Sequence, residues 1–160
     1  MTFRDVAGIS DLDGQWRWVK PNAVPKTTTY PAGFNVTRGV IGNLYTPPVS
    51  GSRALASLPN ASYNAWLRLS GPDMSTLPAL NLLSLDRAVT WNTANKILYY
   101  GPDKATITFT PTTGLTTGSY IDAANGVSLT FGGALLQKQG LLTGRYTASG
   151  QSGLFSIMPR

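Results

Sequence analysis

The sequence predicts an all-β protein in which an antiparallel meander forms a closed or nearly closed barrel, with a β-sandwich as the alternative. The main observation is the last third of the chain, where apolar and polar residues alternate between Ala105 and Met158. Gly-containing turns interrupt this alternation about every ten residues, which is typical of short antiparallel strands rather than of βαβ units. In addition, no heptad pattern and no long amphipathic stripe occurs, so helices are not expected to form the core.

The N-terminal region is predicted to begin with a linker. Residues 1–13 form a polar lead-in or linker that ends at the turn pair Asp13-Gly14. Residues 14–160 are then expected to form a single β-domain. Its first strand covers Gln15–Lys20, because these residues alternate with both tryptophans on one face, and Pro21 ends it.

Four further segments are predicted between the first strand and residue 88. Residues 22–31, with their prolines and threonines, are expected to be a surface loop, and Phe34–Ile41 a second strand. Asn64–Leu69 alternates as a third strand. Leu77–Leu85 is the only segment for which a short helix is expected, and Pro78 weakens it.

The rest of the chain is predicted to be strands joined by turns. Ala88–Thr93 and Lys96–Tyr100 are expected to form a hairpin around Thr93-Ala94-Asn95, followed by the meander with a turn at Asn125-Gly126. Large apolar residues in one phase of the alternating strands are expected to form the core. These residues are Trp18, Leu67, Leu69, Ile107, Phe109, Leu129 and Phe131.

The residue types disfavour an enzyme. The chain contains no Cys, no His and no Glu, and its seven acidic residues are all Asp. A thiol nucleophile, an imidazole base and the usual zinc ligands are therefore missing. Asp11 and Asp13 before Gly14 faintly resemble a calcium loop, but turn capping is favoured because the other oxygen ligands are missing. No catalytic activity, cofactor or metal is expected.

Charge and hydropathy limit which partners and which location can be expected. Charged residues make up 12% of the chain, and the 13 basic residues that give a net charge of +6 are scattered. No nucleic-acid patch is therefore expected, and no apolar run is long enough to span a membrane. A surface of hydroxyls and amides suits an extracellular or cell-surface protein, although this chain shows no export signal.

Several landmarks, in order along residues 14–159, resemble a known family. They are Gly14–Pro21, Tyr30–Phe34, Gly42–Pro48, Phe109–Leu115, Phe131–Gln139 and Ser149–Gly153, of which the Ala-Leu-Leu-Gln-Lys-Gln block at 134–139 is the most specific. The chain resembles the C-terminal β-rich module of large secreted bacterial multi-repeat surface proteins. The resemblance implies a barrel or sandwich unit without catalytic residues.

Two functions remain open from the sequence. The first is a structural module that associates with copies of itself or with adjacent modules of a larger surface protein. The long predicted strand Val127–Gln139 is its expected contact element, through Leu135, Leu136, Gln137 and Lys138.

The alternative is a carbohydrate-binding module that stacks polysaccharide rings on aromatic side chains. Its candidate residues are Tyr99, Tyr100, Trp66 and Trp91.

Overall fold

The computed structural model describes residues 2–22, 30, 32–71, 84–124, 126–148 and 151–160. They form an all-β protein, as predicted. The chain divides into two compact units, Met1–Leu44 and Tyr45–Arg160. The division therefore differs from the predicted one, in which a single β-domain begins at residue 14.

The first unit is a three-stranded antiparallel sheet in the order β1-β2-β3. Its strands are β1 (Thr2–Val6), β2 (Ser10–Lys20) and β3 (Phe34–Gly42). The predicted linker over residues 1–13 is wrong, since β1 and the start of β2 occupy most of it. Charged side chains interrupt the alternation of apolar and polar residues in this segment. Two of them, Arg4 of β1 and Asp13 of β2, form a hydrogen bond across the paired strands.

The second unit is an eight-stranded antiparallel sheet that is nearly closed into a barrel, in the order β6-β5-β4-β11-β10-β9-β8-β7. Its strands are β4 (Ala65–Ser70), β5 (Ser84–Trp91), β6 (Ile97–Tyr99), β7 (Lys104–Thr110), β8 (Leu115–Ile121), β9 (Ser128–Leu136), β10 (Leu141–Ala148) and β11 (Gln151–Pro159). The helix predicted over Leu77–Leu85 lies outside the described residues up to position 83, and Ser84 and Leu85 begin β5. The predicted Asn125-Gly126 turn also falls partly outside them.

The barrel interior contains the core. The largest fully buried side chains are Trp91, Tyr120, Tyr146 and Phe155, and the Phe131 and Phe155 rings stack with centroids 4.4 Å apart. The prediction of core residues is confirmed for five side chains, and Ile107 is partly buried against them. The confirmed residues are Leu67, Leu69, Phe109, Leu129 and Phe131. The prediction is wrong for Trp18, which is 64% exposed in the three-stranded sheet.

Two glycines make room for aromatic rings inside the narrow barrel. Gly153 of β11 lies opposite Tyr146 of β10, and Gly118 of β8 lies opposite Phe131 of β9. A Cβ atom at either glycine would overlap the facing ring. The ring therefore covers the backbone of the neighbouring strand, and the small and large residues together fill the interior.

The segment before β4 closes one end of the barrel. Ala54, Leu55 and Leu58 are buried in the core cluster. Asn95, in the turn between β5 and β6, accepts a hydrogen bond from the Ala54 N–H at 2.8 Å and donates one to the Ser52 carbonyl at 2.9 Å. Backbone groups of this segment that cannot join the sheet are thus satisfied by a side-chain amide.

Candidate interaction surfaces

The four residues predicted to mediate association do not form an exposed strand edge. β9 lies between β8 and β10 and pairs with both, so its backbone groups are used within the barrel. Leu135 is buried, because it lies in the inward phase of β9. The strand ends at Leu136, and Gln137–Gln139, which includes Lys138, forms a 3₁₀ turn. The strand is therefore shorter than predicted and has no unpaired edge, and association through Leu136, Gln137 and Lys138 stays a prediction.

Gln137 instead anchors the segment that closes the barrel. Its side-chain oxygen accepts a hydrogen bond from the Thr46 N–H at 2.8 Å, and its side-chain nitrogen donates to the Thr46 carbonyl at 2.9 Å. Next to it, the Tyr45 hydroxyl donates to the Pro111 carbonyl at 2.5 Å, and the Tyr45 ring packs where a Cβ at Gly114 would lie. Three of the landmark blocks meet here, and their contacts are structural.

The four residues predicted to stack sugar rings do not form one platform. Trp91 is fully buried, and Tyr99 is partly buried with its hydroxyl bonded to Asp103. Trp66 lies on the outside, but the Arg160 guanidinium covers its ring at 4.6 Å from the centroid. Only Tyr100, which is 53% exposed, offers a ring to a ligand.

Asp103 is the centre of a polar network at the end of the barrel opposite the closing segment. Its Oδ2 accepts hydrogen bonds from Arg87 Nε at 2.8 Å and from the Tyr99 hydroxyl at 2.7 Å, and its Oδ1 accepts one from the Ala123 N–H at 3.1 Å. These partners come from β5, from β6 and from the residues after β8. The buried carboxylate thus bridges the seam between β6 and β7, the two strands at the ends of the sheet order.

The electrostatics of this network favour a fixed structural carboxylate. Burial opposes ionisation of Asp103, but hydrogen bonds from its neighbours outweigh burial, and the pKa of Asp103 lies well below its ordinary value. Burial, and then the bond to Asp103, raises the pKa of Tyr99 to about 12. Burial and the nearby carboxylate also raise the pKa of Tyr120, although its hydroxyl makes no hydrogen bond of ordinary geometry. A carboxylate held ionised in this way is a poor general base near neutral pH.

The three-stranded sheet has one face covered with apolar side chains, which we call the apolar face. Register places Trp16 opposite Arg38, Trp18 opposite Val36, and Lys20 opposite Phe34. Trp18 and Phe34 contact edge to face, with centroids 5.2 Å apart. The apolar members of this face are Phe3, Leu12, Trp16, Trp18, Phe34, Val36 and Val40.

The other face of the same sheet is mainly polar. Arg17 of β2 donates a hydrogen bond to the Asn35 side chain of β3 at 3.0 Å. The neighbouring positions are Asp13, Gln15 and Thr37, with Val19 and Ile41 as the large apolar exceptions. The two faces of the sheet therefore differ in polarity, as in antiparallel sheets that pack one face on a core.

The apolar face is open to solvent. Trp16 is 61% exposed, Trp18 64% and Phe3 87%, and Ser10 is the only buried residue among those described before position 45. With 150–250 Å² for each aromatic side chain, these three rings expose roughly 400 Å². Exposed apolar area of this size is comparable to the largest patch on a typical monomer, which is often functional. The alternation around the tryptophans was the signal in the sequence, whereas Phe3 was missed within the predicted linker.

A smaller exposed aromatic pair lies on the barrel. Tyr63 and Tyr100 contact with ring centroids 5.2 Å apart and planes at 64°. Tyr63 is 45% exposed and has a left-handed backbone with φ of 55°. Sequence reasoning missed Tyr63 because it lies in an irregular segment that carries no periodic pattern.

Comparison with known proteins finds no family model, no curated protein and no solved structure that matches this chain. Among the described residues, no cluster of acidic side chains suited to a metal ion occurs. The described part of the chain also has no helix with the length and apolar character needed to cross a membrane.

Proposed function

We propose that this protein is a non-catalytic structural module that acts by association, and that its contact surface is the apolar face of the three-stranded sheet. The observation that carries this proposal is the exposure of Trp16 and Trp18 on a sheet with an apolar and a polar face. Exposed tryptophans cost free energy in water, and covering them is the main gain available to this unit.

The partner is a second copy of the chain. Trp16 and Trp18 lie side by side on β2, and Val36 and Val40, with Arg38 between them, lie on the same face of β3. In a two-fold arrangement, the tryptophans of each copy lie over the valines of the other, as in face-to-face packing of two sheets. Each copy carries a net charge of +6, and Arg38 and Lys20 lie on this face, so burial of the apolar side chains has to outweigh like-charge repulsion.

The available area fits a protein partner. Two copies would bury roughly 800 Å² from Phe3, Trp16 and Trp18 alone, and the half-buried side chains around them add to it. A specific interface needs about 1,000 Å² in total. The apolar face therefore reaches the lower range of protein interfaces, and a location at the cell surface, where such modules pack on one another, agrees with the hydroxyl-rich composition.

Sedimentation velocity over a wide concentration series tests the proposal. We expect the wild-type mass to rise above the monomer value of 17.0 kDa as concentration increases. The double variant Trp16→Thr with Trp18→Thr should remain monomeric, because threonine keeps the strand propensity but removes the apolar rings. The matched control is Val19→Thr with Ile41→Thr on the opposite face, which should associate like wild type.

Two results would contradict the proposal. One is a wild-type protein that stays monomeric at every concentration while the barrel is folded. The other is a double tryptophan variant that associates as strongly as the control variant. A monomer that instead binds a polysaccharide through Trp16 and Trp18 would replace association by carbohydrate binding at this face.

A further inference from the structure

Tyr63, in the exposed aromatic pair on the barrel, combines an unusual backbone conformation with an exposed side chain. Tyr63 has a positive φ of 55°, a conformation that bulky residues seldom adopt. Its ring is nevertheless 45% exposed, so burial does not explain why a tyrosine rather than glycine or asparagine occupies the position. Strained residues of this kind concentrate at binding and catalytic sites.

The surroundings hold the Tyr63 backbone in place. Its N–H donates a hydrogen bond to Thr90 Oγ1 at 2.7 Å. The next residue, Asn64, accepts from the Trp91 N–H at 2.9 Å and donates to the Trp91 carbonyl at 3.0 Å. Hydrogen bonds from two successive residues to β5 therefore hold the backbone that carries the Tyr63 ring.

The direction of Tyr100 follows from the position of its neighbour in the chain. Its neighbour Tyr99 is held inward by the hydrogen bond to Asp103 at 2.7 Å. Adjacent residues of an extended chain point to opposite sides, so Tyr100 points outward together with Leu98. Leu98 is 39% exposed and Tyr100 53% exposed, and the Tyr100 ring meets Tyr63 at 5.2 Å. Both rings are thus positioned before any ligand arrives.

The size of the patch argues for a small ligand. With 150–250 Å² for a whole aromatic side chain, Tyr63, Tyr100 and Leu98 together expose roughly 250 Å². A protein partner normally covers about 800 Å² on each side. A single sugar ring fits better, because the C–H groups of one pyranose face pack on an aromatic ring while its hydroxyls bond at the rim.

We propose that Tyr63 and Tyr100 form a stacking site for a pyranose ring of a polysaccharide, with acidic sugars preferred. Leu98 extends the apolar floor, and the two phenol groups offer hydrogen bonds to sugar hydroxyls. Lys96, the exposed basic residue directly before β6, supplies the ammonium group that pairs with a sugar carboxylate. The net charge of +6 adds a general attraction for acidic polymers. This site is on the barrel and is independent of the apolar face.

Saturation-transfer NMR and titration calorimetry with alginate hexasaccharide and laminarihexaose test the site on the full chain. We expect both to bind, alginate at least about threefold more tightly, which corresponds to the modest strength of one exposed ion pair. Tyr100→Ala and Tyr63→Gly should each weaken binding at least about tenfold, whereas Tyr100→Phe keeps the ring and most of the affinity. Lys96→Gln should remove the preference for alginate. Leu115→Ala, an exposed apolar position elsewhere on the barrel, is the matched control and should bind like wild type.

Tyr63→Gly separates binding from stability. Glycine adopts positive φ without strain, so this variant should melt at the wild-type temperature or above while it loses the sugar. A lower melting temperature with unchanged binding would show that Tyr63 is only structural and would overturn the proposal. Failure of wild type to bind either oligosaccharide would also overturn it, as would self-association that depends on Tyr100, since the patch would then be a protein contact.

Discussion

The barrel and the three-stranded sheet use the same alternation of apolar and polar residues with opposite results. In the barrel, Leu67 and Phe155 point inward and are fully buried, while the hydroxyls of Thr106 and Ser119 meet on the outside at 2.7 Å. In the three-stranded sheet, Trp16 and Trp18 point to one face with equal regularity and stay exposed. Alternation therefore defines which side chains share a face, but only closure of the sheet decides whether that face is covered.

The difference separates two kinds of contribution to the protein. Rings in the barrel stabilise the chain by itself, because their burial is complete within one molecule. Phe3, Trp16 and Trp18 on the apolar face are more than half exposed, so they contribute less to the stability of an isolated chain. Substitutions of similar size in the two regions should therefore change the free energy of unfolding of an isolated chain by unequal amounts.

The largest effect is expected for a core ring of the barrel. Phe155→Ala should lower the free energy of unfolding by about 3–5 kcal/mol, because it removes a fully buried ring that stacks on Phe131 and leaves a cavity. Trp18→Ala in dilute solution should change it by about 1 kcal/mol or less, because this exposed ring loses only its edge-to-face contact with Phe34. Urea denaturation followed by circular dichroism measures both changes, and equal losses would show that Trp18 is packed as tightly as Phe155.

A smaller effect is expected from adding one methyl group in each region. Gly153→Ala should cost about 1–3 kcal/mol, because its Cβ would overlap the Tyr146 ring in the packed barrel. Gly39→Ala in β3 should be neutral or slightly stabilising, since its Cβ would meet no atom within 4 Å. Thermal unfolding of the two variants provides the measurement. A Gly153→Ala protein that melts with wild type would mean that the barrel is less tightly packed than described.

The smallest effect concerns the alkaline stability of the barrel seam. The pKa of Tyr99 is raised from 10.0 to about 12, so the folded state keeps its phenol protonated where the unfolded chain loses the proton. The stabilisation is complete below pH 10.0 and is lost as the pH rises toward about 12. Tyr99→Phe should reduce the decrease in the free energy of unfolding at alkaline pH, measured by denaturant titrations at increasing pH. The control Tyr100→Phe, which removes a hydroxyl from the outward neighbour, should leave the decline in place.

The sequence was sufficient for the fold class and for most of the core, because these depend on local alternation. Leu67, Leu69, Phe109, Leu129 and Phe131 were predicted correctly from their phase in the strands. The same rule failed for Trp18, since nothing in the local pattern says whether a sheet has a second layer.

The sites were less predictable, because they depend on long-range pairing. Leu135 was predicted as a contact residue, but the strand that contains it is paired on both sides with strands that only the topology identifies. Gln137 bonds a segment that precedes it by 91 residues in the chain, and no spacing rule reaches that far. Tyr63 owes its exposure and its pairing with Tyr100 to a backbone conformation that a sequence pattern does not encode.

The central claim, that a second copy covers the apolar face, is tested most directly by hydroxyl-radical footprinting of the wild-type chain at increasing protein concentration. We expect labelling of Trp16 and Trp18 to fall as the protein associates, while labelling of Tyr100 on the barrel stays constant. If labelling of Trp16 and Trp18 stays at its dilute value throughout while the barrel remains folded, no second copy covers the apolar face.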